Sequence, residues 1–162
     1  MQTAYFAGGC FWCIEAIFQR VNGVLSLASG YCNGTTKNPT YQEICAGDSG
    51  HAEVLKIEFD ETQISYAELL GVFVVVHDPT SLNQQGADMG TQYRSAVFYT
   101  DSKQRELAQS LIDSIKGAVT EISPLDVFYV AEDYHQNYFN DNQNQPYCQI
   151  VILPKINKYL NK

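Results

Sequence analysis

A short apolar run, Ala4-Tyr5-Phe6-Ala7, breaks at Gly8-Gly9 and gives way at once to Cys10-Phe11-Trp12-Cys13. Beyond it, Ile14, Ile17, Phe18 and Val21 recur with helical spacing. A strand that feeds a helix across two glycines commits the start of the chain to β-then-α. The rest of the fold must cover both elements. A thiol at such a junction also meets unpaired backbone N–H groups and the positive end of a helix dipole. Both favour thiolate over thiol, the condition for a nucleophilic cysteine.

The same alternation continues downstream. Residues 2–7 read as a buried strand and 11–21 as a helix. A strand is expected over 24–28, ending in the turn-like Gly30-Tyr31-Cys32-Asn33-Gly34. Residues 33–50 read as a long surface loop with a short helix near Tyr41–Cys45. Over 53–60 the residues alternate as a strand should, with Leu55, Ile57 and Phe59 on one face and Val54, Lys56 and Glu58 on the other. Ser65-Tyr66-Ala67-Glu68 has the form of a capping box and starts a helix that reaches about His77 and stops before Pro79.

A strand over 93–100 follows, then a helix from Asp101 or Ser102 to about Ile115, a strand near 127–131 and a helical segment at 133–139. The polar run Asn140 to Gln145 is expected to bury little and to be mobile. Residues 151–153 are too short a run to place. The expected class is α/β (α+β): one domain over residues 1–162, a two-layer sandwich with a mixed sheet, flanking helices and long loops.

At 162 residues and 45% hydrophobic, the chain can bury one sizeable core. A net charge of −8 argues against nucleic-acid partners, and no lysine or arginine cluster invites a lipid surface. No apolar run approaches the roughly 20 residues of a membrane helix, and no secretory leader is evident. Five cysteines without paired spacing do not make a secreted disulfide framework. The protein reads as soluble and cytoplasmic.

Cys10 and Cys13 form a CxxC. Zinc is disfavoured because Cys32 and Cys45 lack the compact spacing of a second ligand pair. Trp12 falls on the helical face opposite the core residues, near Ala16 and Gln19, where it is either covered by another segment or forms one wall of an apolar pocket. Phe11 offers a second wall. Glu53 shares its face with Leu55, Ile57 and Phe59, so desolvation would keep its carboxyl protonated. His135 reads as a capping or packing residue rather than a base. A general CxxC thiol–disulfide oxidoreductase uses the same thiols, but would leave the two aromatic rings and Glu53 without a purpose.

The ordered segments Gly8-Gly9-Cys10-Phe11-Trp12, Gly30-Tyr31, Asn38-Pro39-Thr40-Tyr41, Gly50-His51-Ala52-Glu53, His77-Asp78-Pro79-Thr80, Asp88 to Ser95, Ala131 to Gln136 and Tyr147-Cys148 resemble the A-type peptide methionine sulfoxide reductases. The resemblance spans nearly the whole chain. It implies that Cys10 attacks the sulfur of an S-epimer sulfoxide while Phe11 and Trp12 hold its methyl group. Glu53 would protonate the sulfoxide oxygen, Tyr41 and Tyr93 would hydrogen-bond it, and Asp88 would order a polar group or water. The Cys10 sulfenic acid would become a disulfide with Cys148 or Cys13, reduced in turn by a thioredoxin-like dithiol. No bound metal or organic cofactor is implied. Glycine commonly stands at the position of Cys13, so the route to the disulfide stays open between the two thiols. No role is carried onto Cys32, and Cys45 reads as structural.

Overall fold

The computed structural model describes residues 2–160; Met1, Asn161 and Lys162, which the single-domain reading takes in, lie outside the described residues. The chain opens with β1 (Gln2–Ala7), α1 (Phe11–Phe18), β2 (Val24–Cys32), α2 (Tyr41–Cys45) and β3 (Ala52–Phe59). It continues through α3 (Tyr66–Val76), a small hairpin of β4 (Gln84–Gln85) and β5 (Asp88–Met89), then β6 (Ala96–Tyr99) and α4 (Ser102–Asp113). Last come β7 (Glu121–Pro124), β8 (Phe128–Val130), α5 (Tyr138–Asp141) and α6 (Leu153–Leu160). Among the described residues, no helix is long and apolar enough to cross a membrane.

Six strands form one sheet in the order β7-β6-β1-β3-β2-β8. β1 runs antiparallel to β3 and β6, and β2 antiparallel to β3 and β8, whereas β6 and β7 are parallel. The mixed α/β class expected from the alternation is therefore present. Strand parity in β3 is as read. Leu55, Ile57 and Phe59 join Phe6 in a core with Ile14, Phe18, Leu69 and Phe73, while Val54 faces the opposite cluster with Ala52, Ala96 and Phe98.

The helix starts obey local chemistry. Ser65 and Glu68 close the expected capping box on α3, and the Asp101 side chain accepts from Gln104 N–H at the start of α4.

Three expectations need correction. β2 does not end in a turn at Gly30 but continues through Tyr31 and Cys32, because β3 and β8 pair with it on either side. The turn comes at Asn33, in the left-handed region. The strand expected over 93–100 is shorter: Thr91–Tyr93 is a single 3-10 turn and pairing starts at Ala96. The helical segment at 133–139 is divided into a 3-10 turn, Asp133–His135, and the short α5. Two more elements went unread besides the β4–β5 hairpin. One is β7, a four-residue edge strand ending in Pro124. The other is a π-helical turn, Cys148–Ile152, that runs on into α6.

This tail closes the molecule over α1. Ala16 and Ile17 of α1 pack against Phe139, Cys148, Ile152 and Ile156, so α1 is buried between the sheet on one side and the tail on the other.

Candidate active site

Two glycines shape the junction that carries Cys10. A Cβ on Gly8 would lie 2.8 Å from the His77 ring, and Gly9 has a φ of +85°, a conformation other residues resist. Gly9 N–H donates to Tyr93 C=O at 3.1 Å, which ties the turn to the segment bearing Tyr93. His77 in turn is fixed by the Phe73 carbonyl at 2.6 Å and Ser95 Oγ at 2.7 Å.

Cys10 is the N-cap of α1 and has extended backbone geometry, so it stands just outside the helix rather than one turn within it. A disulfide needs Cβ atoms about 3.8 Å apart, more closely placed than a regular helical i,i+3 pair. Cys10 at the cap lies outside that regular turn, and the two thiols shift each other's titration through a side-chain interaction.

The helix N-terminus does not create the thiolate expected at Cys10. Burial pushes the Cys10 thiol well above its ordinary range, and its hydrogen bond to Cys13 and the nearby Glu53 push it the same way. Trp12 N–H is the opposing influence. Cys13 moves in the other direction. The hydrogen bond from Cys10 pulls it down to about 7 against burial, assisted by Lys155 and the Tyr147 hydroxyl. Lys155 Nζ lies 3.7 Å from Cys13 Sγ, and Tyr147 Oη lies 3.6 Å from it. The negative charge of the resting pair is therefore centred on Cys13.

The Phe11 N–H at the helix start donates instead to Glu53 Oε1, at 3.1 Å. Glu53 sits opposite Tyr31 in the β2–β3 ladder and is 1% exposed. Its second oxygen, Oε2, has no hydrogen-bond partner. Desolvation pushes its carboxyl up to about 8, outweighing the Phe11 N–H.

Around this carboxyl lie two phenols. Burial raises Tyr41 and Tyr93, and the charge of Glu53 adds to the shift of both, so their hydroxyls stay protonated. Asp88, on β5, accepts a 2.7 Å hydrogen bond from the Tyr147 hydroxyl. The structure thus brings Cys10, Cys13, Glu53, Tyr41, Tyr93 and Asp88 into one region.

Phe11 and Trp12 take unequal places. Phe11 has no exposed surface and packs on Tyr31 and His135. Trp12 is half-buried, with its ring stacked on Tyr138 at 3.8 Å and edge-on to Tyr147. Its Nε1–H donates to His135 Nδ1 at 2.9 Å, which leaves His135 a buried neutral packing residue, as expected. Cys148 is fully buried in the same cluster as Cys10 and Cys13, and burial pushes its thiol up. Cys32 is buried in the cluster on the opposite face of the sheet, and Cys45 is exposed at the end of α2. Among the described residues, no group of three or more His, Cys, Asp or Glu side chains could hold a metal ion.

Three contributors escaped the sequence reading. Glu132 accepts from the Tyr31 hydroxyl at 3.0 Å and from Tyr41 N–H at 2.9 Å, which fixes the start of α2. Tyr147 and Lys155 reach Cys13 from the tail. A cleft of about 680 Å³ between α3, the β4–β5 hairpin and α6 is bordered by Asp88, Tyr147 and Lys155, whereas Cys10 and Glu53 do not line it.

Residues 2–162 match the family of peptide methionine sulfoxide reductases. The chain belongs to that family. This peptide methionine sulfoxide reductase is 61% identical to "Peptide methionine sulfoxide reductase MsrA" of Vesicomyosocius okutanii, over the full length of both chains. Among solved structures it is similar to reduced Mxr1 from Saccharomyces cerevisiae, at 32% identity and a TM-score of 0.83, covering 91% of this chain and 88% of that one. The structure of Mxr1 in complex with Trx2 matches at 22% identity and a TM-score of 0.58, covering 85% and 84%, and shares the fold. The reductase is an oxidoreductase acting on methionine sulfoxide, and the general thiol–disulfide oxidoreductase is set aside.

Proposed function

We propose that this reductase repairs the S epimer of methionine sulfoxide, free or in oxidised proteins, with Cys10 as nucleophile and Glu53 as acid. The observation that carries this reading is the Glu53 carboxyl. It is buried beside Cys10, pushed up to about 8, and holds one oxygen without a partner. A sulfoxide oxygen leaves sulfur readily only when protonated, and a neutral carboxyl can supply that proton at physiological pH.

Cys10 sulfur attacks the sulfoxide sulfur. The oxygen passes to Cys10 as a sulfenic acid, and methionine departs as the thioether. The proton that Cys10 gives up as it attacks replaces the one Glu53 passes to the sulfoxide oxygen, so the first step balances without Cys13. Tyr41 and Tyr93, both protonated, hydrogen-bond the oxygen, and Asp88 orders the polar side of the site through Tyr147. Trp12 offers the ring face for the methyl group, backed by the fully buried Phe11.

Cys13 serves as the resolving thiol. The support is its side-chain interaction with Cys10 and the place of Cys10 at the cap, outside the regular helical turn. Cys148 is the second candidate, favoured by its burial in the same cluster. The disulfide is then reduced by an external thioredoxin-like dithiol, in keeping with the complex that Mxr1 forms with Trx2. This chemistry calls on no bound cofactor. Residues 1–162 act as one catalytic domain, and the free thiols suit a cytoplasmic setting.

The test is turnover of resolved epimers, followed by mass mapping after one equivalent of the S epimer without reductant. We expect Cys10→Ser to abolish reduction and the wild type to accumulate a Cys10–Cys13 disulfide. Retained turnover in Cys10→Ser would sink the mechanism. A Cys10–Cys148 bridge formed just as fast in Cys13→Ser would transfer the resolving role to Cys148.

A further inference from the structure

Cys13 is 3% exposed, a poor setting for a thiolate. The titratable groups facing it come from every side of the site: Cys10 at the cap of α1, Glu53 on β3, Asp88 on β5, Tyr147 and Cys148 on the tail, and Lys155 on α6. Glu53 is neutral at physiological pH, and Asp88 opposes negative charge on Cys13. Lys155 is the only cation in that set of groups. Among the described residues it makes no ion pair with a carboxylate, and its ammonium points at Cys13 Sγ from 3.7 Å. α6 is anchored through Ile156 and the preceding Ile152, which pack in the cluster with Cys13, so the charge is carried by a packed element rather than a loose surface arm.

Of the three groups that favour charge on Cys13, Tyr147 already gives its one O–H to Asp88, and the other two do not survive the reaction equally. In the resting pair, the Cys10 S–H donates to Cys13. That donor no longer exists once Cys10 sulfur carries oxygen. Lys155 keeps its position, because it lies on another element.

We propose that Lys155 is a positioning residue of the resolving step, holding Cys13 as the thiolate that attacks the Cys10 sulfenic acid. The proposal rests on Cys13 as the resolving thiol. In the step, a lone pair of Cys13 sulfur forms the S–S bond as the Cys10 S–O bond breaks. The oxygen leaves as hydroxide, which a proton from solvent converts to water. Cys13 sulfur is oxidised and Cys10 sulfur is reduced, so no outside oxidant enters. The cation, 3.7 Å from the attacking sulfur, keeps it unprotonated.

Single-turnover measurements on the full-length protein test this, using one equivalent of methionine (S)-sulfoxide without reductant. Methionine release reports the first step, and the Cys10–Cys13 disulfide, trapped and mapped by mass, reports the second. With Lys155→Met, methionine release should match the wild type. Disulfide formation should slow about tenfold at neutral pH, with its midpoint displaced upward by about one pH unit and its rate recovering in alkali. Lys155→Arg, which restores the charge, should restore the profile. A wild-type pH profile in Lys155→Met overturns the proposal, and so does a slow rate that alkali does not rescue, the mark of a packing defect. A wild-type rate of Cys10–Cys148 closure in Cys13→Ser overturns the assignment of Cys13 instead, whatever Lys155 does.

Discussion

Glu53 has one oxygen held by the start of α1 and another without any partner, an asymmetry that suits the donor role proposed for it. Glu53→Gln keeps the size and the contact with Phe11 N–H but has no acidic proton. We expect the rate of sulfoxide reduction at neutral pH to fall by about 10²–10⁴-fold, the usual worth of a positioned acid. The wild-type rate should decline as pH rises through about 8, where Glu53 loses its proton, and the variant should lack that limb. A pH–rate profile of both proteins checks this. Glu53 was legible because strand parity alone puts it on the apolar face, and Cys10 because the two glycines announce the junction. Lys155 was not. Its contact with Cys13 spans 142 residues of sequence and depends on where the tail lies, which no local pattern records. The thiolate expected at Cys10 failed for a related reason. One helix N–H, that of Phe11, is taken by Glu53, and burial outweighs the other, from Trp12.

Among the elements, the helices with side-chain caps were readable because a capping box is complete within four residues. β7 was not readable, since a short edge strand ending in proline carries almost no alternation. The tail helix is concealed by the polar run before it and by Pro154, its second residue, which has no N–H to give and stands just past the π-helical turn. One buried carboxylate binds this tail to α1. Glu15, 3% exposed, accepts from Tyr138 N–H at 3.3 Å, and burial raises its carboxyl against that hydrogen bond and one from Asn137 N–H. Glu15→Ala leaves those donors without their acceptor. It should destabilise the fold by about 1–3 kcal/mol in urea unfolding and expose α5 to limited proteolysis first. An unchanged unfolding midpoint would show that the aromatic contacts of Tyr138 hold the tail unaided.

For the whole molecule, the raised Glu53 makes stability depend on pH. Unfolded, the carboxyl titrates near its ordinary value of 4.5; folded, it holds its proton to about 8. Between those values the folded state binds the extra proton, so stability is greatest below the window and is lost as pH rises through it. The loss reaches about 1.4 kcal/mol per pH unit within the window. Glu53→Gln should flatten this dependence, and denaturant unfolding of both proteins across the window measures the difference. The burial that raises the Cys10 thiol has another side. Oxidant attack on cysteine follows thiolate character and exposure, and at rest Cys10 has little of either, being protonated and 7% exposed. Cys45, open at the end of α2, meets a diffusing peroxide first. A protein working among oxidised targets thereby keeps the sulfur proposed as its nucleophile from being consumed by the agent whose damage it reverses.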